Sequence, residues 1–348
     1  MNGVQITKKH ESILGKPLIT YRLAAPCGAY IEVCNYGARW LSAVIPDKFG
    51  VLSETLLGYD SAQGWLKDPN YMGATIGRFA NRIGDACFQI NGFTYNLDKN
   101  DGNNCNHGGN NGLSFQFFDS EIIDNSVEFS YFSPAFSDKF PGNLRVRVRY
   151  EFTDDFRVRL THALISDSLT PAGLTNHAYF NLGGKLLNHQ LKIYSHSILE
   201  TNEEYIPTGQ ILSVENTPFD FSSFHAIGER IRQPNVQFKW NRGYNHCYPL
   251  FGALDKAALR LAAELESPES GRSMKLYTDY PSLLAYSGGF LSSEIPCRFG
   301  RPLEPEDGIA LEAQFYPDSP RKPDFPDCWL KPGTVRTNRI EYQFGFTS

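Results

Sequence analysis

The chain reads as all-β: a large, mostly antiparallel β-sandwich with few short helices. Three observations predict this. Aromatic residues make up 14% of the 348 residues, with 25 Phe and 18 Tyr, and these side chains suit a pleated, half-buried surface. Gly and Pro number 30 and 21, as expected of many short strands joined by punctuated turns. A strict period of two also recurs along the chain, the repeat of a strand with one buried and one wet face. No internal repeat and no linker-like low-complexity segment interrupts residues 1–348, so one domain is expected. Two all-β domains are the alternative.

In chain order, Ala29 to Asn35 is the first clear strand candidate. Tyr59 to Leu66 is long enough for two turns of helix. Cys87 to Leu97 reads as a hairpin with Asn91-Gly92 at its tip, a pair that tolerates the positive φ of a type I′ turn. Asn96 to Gly112 then holds seven Asn and four Gly; it is a surface loop or, since long structureless loops in compact domains are often functional, part of a site. Leu144 to Phe152 is the clearest strand. Leu144, Val146, Val148, Tyr150 and Phe152 point one way, and Arg145, Arg147, Arg149 and Glu151 the other. Thr153-Asp154-Asp155 turns the chain, and Phe156, Val158 and Leu160 resume the alternation, completing an antiparallel hairpin. Further strands are expected at Gln190 to Leu199, Met274 to Tyr280, Leu283 to Ser287 and Gly308 to Phe315, with a second short helix at Ala226 to Arg232.

Composition excludes several classes of function. The formal net charge is −5 and the sequence pI is about 5.9, against a binder of nucleic acid or of acidic membranes, which needs surplus Lys and Arg. No apolar run approaches the ~20 residues of a membrane helix. Met1 to Lys9 has no apolar core, so no signal peptide is expected. The seven Cys are scattered without a CxxC pair, which argues for a reducing, cytoplasmic setting rather than a disulfide framework or zinc site. There is no Gly-x-Ser-x-Gly elbow, no phosphate-binding glycine loop and no His-Glu-x-x-His. A carboxylate pair for glycoside cleavage stays open, because 38 acidic residues offer many pairs.

The residues that could carry chemistry are few. His107 sits in the Asn-rich loop before Gly108-Gly109, where the backbone can approach a ligand closely; it is either a site residue or a solvated loop His. His177 lies in Thr175-Asn176-His177-Ala178-Tyr179-Phe180-Asn181-Leu182, a mixed polar and aromatic run that fits a site wall or a hydrogen-bonded core His. Glu312 interrupts an apolar strand, where a carboxylate is costly unless it is paired or lines a cavity. It shares a face with Ala310 and Gln314, so an outward polar face is the other reading. Arg78 and Arg82 carry planar donor forks suited to vicinal hydroxyls, or are surface residues. Asn81 and Arg82 would face oppositely on a regular strand, and both reach one ligand only if the segment is irregular.

Taken together, Gly73-Ala74-Thr75-Ile76-Gly77-Arg78-Phe79-Ala80-Asn81-Arg82-Ile83, Asn106-His107-Gly108-Gly109, Thr175 to Leu182, and Leu311-Glu312 followed by Pro317-Asp318-Ser319-Pro320 closely resemble the aldose 1-epimerase (galactose mutarotase) family. Pro141-Gly142-Asn143-Leu144, Pro207-Thr208-Gly209, Thr217 to Phe221, Leu330 to Gly333 and Glu341 to Phe344 add to the likeness, in the family's order. The resemblance implies a single β-sandwich with an open sugar-binding cleft, no cofactor and no metal, and a small monosaccharide as partner, in a monomer or homodimer. It implies Glu312 as the base on the anomeric hydroxyl and His177 as the acid on the ring oxygen. That division suits reference pKa values on either side of the working pH. It further implies His107, Asn81, Arg82 and Asn245 as sugar contacts, with Tyr179 as a wall for the sugar's apolar face.

Three departures stand out. Gly243-Tyr244-Asn245-His246 has Asn245 where the family commonly has Asp, and Leu284 in Leu284-Ala285-Tyr286-Ser287-Gly288-Gly289-Phe290 stands where it has a polar Gln. Leu113 to Phe118 replaces a charged run. Loss of polar contacts to sugar hydroxyls changes discrimination strongly. Three activities remain in view: an anomer-interconverting enzyme for aldohexoses, a sugar-binding or sensory paralogue that keeps the cleft, and an epimerase for a decorated or phosphorylated sugar.

Overall fold

The computed structural model describes residues 3–251, 258–298 and 300–347. Met1 and Asn2, at the head of the segment read for a leader, lie outside them. The architecture is built from antiparallel sheets. The largest has nine strands, in the order Asp119–Ile123, Ser126–Ser133, Leu144–Phe152, Arg157–Ser166, Val335–Phe346, Arg272–Thr278, Arg260–Glu266, Gln190–Ile193 and His225–Ala226. The last long strand, Val335–Phe346, therefore sits in the middle and pairs with strands from two distant stretches of chain. A five-stranded meander runs from Gln5–Ile13 to Leu52–Glu54. A four-stranded sheet orders Tyr179–Phe180, Ile309–Gln314, Ser282–Tyr286 and Asn245–Pro249.

One hydrophobic cluster reaches across all three sheets. Tyr21 and Ile31 come from the meander, Val146 and Tyr150 from the large sheet, and Leu283 and Leu311 from the four-stranded one. The alternation read in Leu144–Phe152 is what feeds it: every second residue is buried and the Arg between them are exposed or half-exposed. The hairpin at Asn91-Gly92 forms with φ of 50° and 83°, the positive values of a type I′ turn.

Four local expectations shift. Phe156 falls in the turn, at φ 62°, rather than in the following strand. Gln190 to Leu199 breaks at Tyr194–His196: Gln190–Ile193 joins the large sheet, whereas Ser197–Thr201 pairs with Pro207–Ser213. The helices are shorter than their patterns, Ala62–Leu66 and Ile227–Arg230. A third, Val236–Asn241, is capped by Asn235, whose side chain accepts from Gln237 N. Among the described residues no helix is long and apolar enough to cross a membrane.

Candidate active site

The four-stranded sheet carries the floor of a cleft of about 340 Å³. Ile309–Gln314 is buried on both faces. Ile309, Leu311 and Ala313 enter the main core, which turns Ala310, Glu312 and Gln314 to the other side. Glu312 is 0% exposed, so its face is a cleft floor and not a wet outer surface. No described residue hydrogen-bonds either of its carboxylate oxygens. His177 Nε2 lies 3.5 Å from Oε1, in a cleft that both residues line.

His177 is held through its backbone. Its N donates to Ala74 O and its O accepts from Gly73 N, at 3.0 and 2.9 Å. Asn176 fastens the same turn: Nδ2 donates to Gly73 O and to the Tyr150 hydroxyl, and Oδ1 accepts from Ala178 N. Gly73 has to be glycine, because its φ is +66° and a Cβ there would lie 1.9 Å from Trp40 O.

His107 closes the other side. Its ring meets His177 edge-on at 5.3 Å between centroids. Asn81 N donates to His107 Nδ1 (3.3 Å) and His107 N donates to Asn81 O (3.2 Å). Nδ1 is thereby an acceptor, and the neutral ring carries its proton on Nε2. Asn81 has φ 68°, which is the irregularity needed for Asn81 and Arg82 to reach one cleft. Arg82 Nε donates to Asp101 Oδ2 (2.7 Å), and its guanidinium sits 4.6 Å over the Tyr205 ring.

All seven residues that the resemblance implies for the site line this cleft: Asn81, Arg82, His107, His177, Tyr179, Asn245 and Glu312. Arg78 does not. It is buried but turned elsewhere, donating to Ser133 O and Oγ and to the carbonyls of Pro134, Pro141 and Gly142. It is neither a surface residue nor a sugar contact. Gly108 likewise serves the protein, since its hydrogen side abuts the Gly77 carbonyl, which a Cβ would meet at 2.0 Å.

Among the other lining residues, sequence reasoning missed Tyr71, Asp101, Tyr205, Tyr286 and Phe290. Asp101 lies in the Asn-rich loop, and Tyr286 and Phe290 lie in the run already quoted around Leu284, so proximity to a motif was the available signal. Tyr71 and Tyr205 carry none. Tyr71 packs tilted against His107 at 4.8 Å and stacks on His177 at 6.2 Å between ring centroids. Its segment is set by a buried ion pair: Arg39 Nη1 donates to Asp68 Oδ2 (2.8 Å), and the same carboxylate accepts from Asn70 N and Met72 N. Leu284 also lines the cleft, its Cα paired in register with that of Glu312.

Burial dominates the electrostatics. Desolvation pushes the Glu312 carboxyl up to about 8, opposed by the Arg82 charge. It pushes His177 down to about 4, with a hydrogen bond to its own backbone in opposition. His107 is held well below the usual imidazole range by burial first, then by His177 and Arg82. The reference order of carboxylate below imidazole is thus reversed. Among the described residues no group of three or more His, Cys, Asp or Glu is placed to hold a metal ion.

The family model described as aldose 1-epimerase matches residues 20–343. An aldose 1-epimerase of Escherichia coli K12 is 36% identical over 338 residues, covering 95% of this chain and 96% of that protein. A galactose mutarotase of Bos taurus is 33% identical over 318 residues, 90% of each chain. Among solved structures, an aldose epimerase homologue from C. elegans aligns with a TM-score of 0.87 at 26% identity, over 98% of this chain and 100% of that one. A galactose 1-epimerase from Lactobacillus acidophilus aligns at 0.86 and 25%, over 99% of each. With a cleft that joins His177, Glu312, His107 and Arg82 and a match along nearly the whole chain, this protein belongs to the aldose 1-epimerase family.

Proposed function

We propose that the chain is a mutarotase, an isomerase that interconverts the α and β anomers of an aldohexose, with Glu312 and His177 as its catalytic residues. The observation that carries the reading is the 3.5 Å approach of His177 Nε2 to Glu312 Oε1, with neither carboxylate oxygen hydrogen-bonded by a described residue. Two groups this close can address two oxygens on a single carbon, and the anomeric carbon of a pyranose bears two.

Glu312 accepts the proton of the C1 hydroxyl. The electrons of that O–H bond become the second C1–O1 bond, the C1–O5 bond breaks, and O5 takes a proton from His177. The product is the open-chain aldehyde. Rotation about C1–C2 presents the opposite face of the carbonyl. O5 attacks it and returns its proton to His177, while O1 recovers one from Glu312, so no net proton is exchanged with water. His107, through Nε2–H, and Arg82 stabilise charge as it develops on the sugar oxygens. Asn81 and Asn245 contact hydroxyls, and Tyr179 offers a ring face to the C–H side of the sugar.

Residues 1–348 act as one catalytic unit, a reading supported by the core that joins the three sheets. The seven free thiols suit a reducing cytoplasm. The test is polarimetry on freshly dissolved α-glucose and α-galactose. The enzyme accelerates the change in rotation, and Glu312→Gln removes the acceleration while sugar still binds. If the intact protein binds sugar without accelerating the change, it is a sugar-binding paralogue and the mutarotase reading fails.

A further inference from the structure

Most side chains lining the cleft can hydrogen-bond or present a ring face, but one beside the carboxylate can do neither. Among the described lining residues, Leu284 is the only aliphatic side chain apart from Pro69. The register of Ser282–Tyr286 against Ile309–Gln314 pairs it directly with Glu312. Directly opposed residues of an antiparallel pair share a face, with Cβ atoms ~4.5–5.5 Å apart. Leu284 is buried and clusters with Leu199, Cys247, Tyr316 and Phe325, so the wall it forms is largely apolar in depth.

His177 comes to Glu312 from the other flank. The neighbouring strand on that side is Tyr179–Phe180, two residues beyond His177. Glu312 therefore stands between an imidazole and an apolar wall. The anomeric carbon carries three heavy substituents: O1, the ring oxygen and C2. With O1 at Glu312 and the ring oxygen at His177, C2 falls on the Leu284 side.

Resting on the mutarotase reading, we infer that Leu284 determines specificity at C2 and suits the cleft to aldoses that lack a hydroxyl there, the 2-deoxy sugars. A 2-hydroxyl facing Leu284 surrenders its water and gains no partner, whereas a C2 methylene surrenders none and gains contact. An apolar pocket discriminates against an added hydroxyl by up to about a hundredfold.

The experiment measures anomer exchange by NMR for 2-deoxyglucose against glucose and for 2-deoxygalactose against galactose. Each kcat/KM is divided by the spontaneous rate constant of the same sugar. For the wild type, the 2-deoxy sugar is expected to equal or exceed its parent. Leu284→Gln, which restores a donor and an acceptor, is expected to shift the ratio toward the parent by about tenfold or more. A parent sugar ahead of its 2-deoxy analogue in the wild type overturns the inference, as does an unchanged ratio in a folded Leu284→Gln protein. If that variant does not fold, the wild-type ratio decides alone. Failure to accelerate any of the four sugars overturns the mutarotase reading itself, a different outcome from acceleration confined to the parents.

Discussion

His177 Nε2 and Glu312 Oε1 lie 3.5 Å apart with their proton affinities inverted, the carboxyl pushed up to about 8 and the imidazole down to about 4. Between those values the pair holds one proton, and that proton rests mainly on Glu312. The form the proposed mechanism uses, carboxylate with imidazolium, is the minority form of the same singly protonated pair. Its share does not change with pH until a proton is gained or lost.

The pH dependence follows from that relationship. Below about pH 4 both groups are protonated and the base is lost; above about pH 8 both are deprotonated and the acid is lost. We expect kcat/KM to be level between these limits and to fall on either side. NMR exchange rates corrected for the spontaneous reaction test it. A limb centred near pH 6.5 would show an imidazole exposed to water and would contradict the buried geometry.

Glu312→Gln separates catalysis from folding. Loss of the base should cost about 10²–10⁴ in kcat. Stability should move the other way. The folded-state pKa of Glu312 is raised from 4.5 to about 8, so the stability from its bound proton is complete below pH 4.5 and lost as pH rises through 8. The Gln variant has no carboxyl to ionise. It should gain on the wild type as pH rises, by on the order of 5 kcal/mol at the alkaline end. Urea denaturation at acid, neutral and alkaline pH reads this, and equal curves at all three would refute it.

Arg82 adjusts the same carboxyl. Its charge lowers the Glu312 pKa, so Arg82→Ala should move the alkaline limb to higher pH. Loss of its charged donors should also weaken sugar binding by about 10–100-fold, seen as a rise in KM. In Asp101→Asn the guanidinium stays but its 2.7 Å ion pair is gone. That variant should keep the limb and raise KM less.

The Arg39–Asp68 pair tests how the cleft wall is supported. Both side chains are almost wholly buried, so removing one partner strands a charge. Arg39→Met should cost about 3–5 kcal/mol. Because Asp68 also holds Asn70 N and Met72 N, Tyr71 should lose its place against His107 and His177. Denaturation midpoints and kcat should fall together, and a stable variant of full activity would show that the pair does not order the segment.

Much of this could be read before folding was considered. The alternation of Leu144 to Phe152 named its own buried face, and Asn91-Gly92 named its own turn, because both depend on near neighbours in the chain. Seven of the residues that line the cleft were named by motif resemblance, and Asn81 with Arg82 needed an irregular backbone that the positive φ of Asn81 supplies. Tertiary structure alone decided what each polar residue faces. Arg78 could be read as a fork for hydroxyls or as a surface residue, but it spends its donors on the carbonyls around Ser133 and Pro141. Glu312 looked able to face water until a second layer covered it, and that covering, a property of distant strands, moved its proton affinity past that of His177. Sequence determined which residues alternate and which turns close, since those are local preferences. Burial determined which charges survive and where protons reside, since desolvation depends on segments far apart in the chain that only folding brings together.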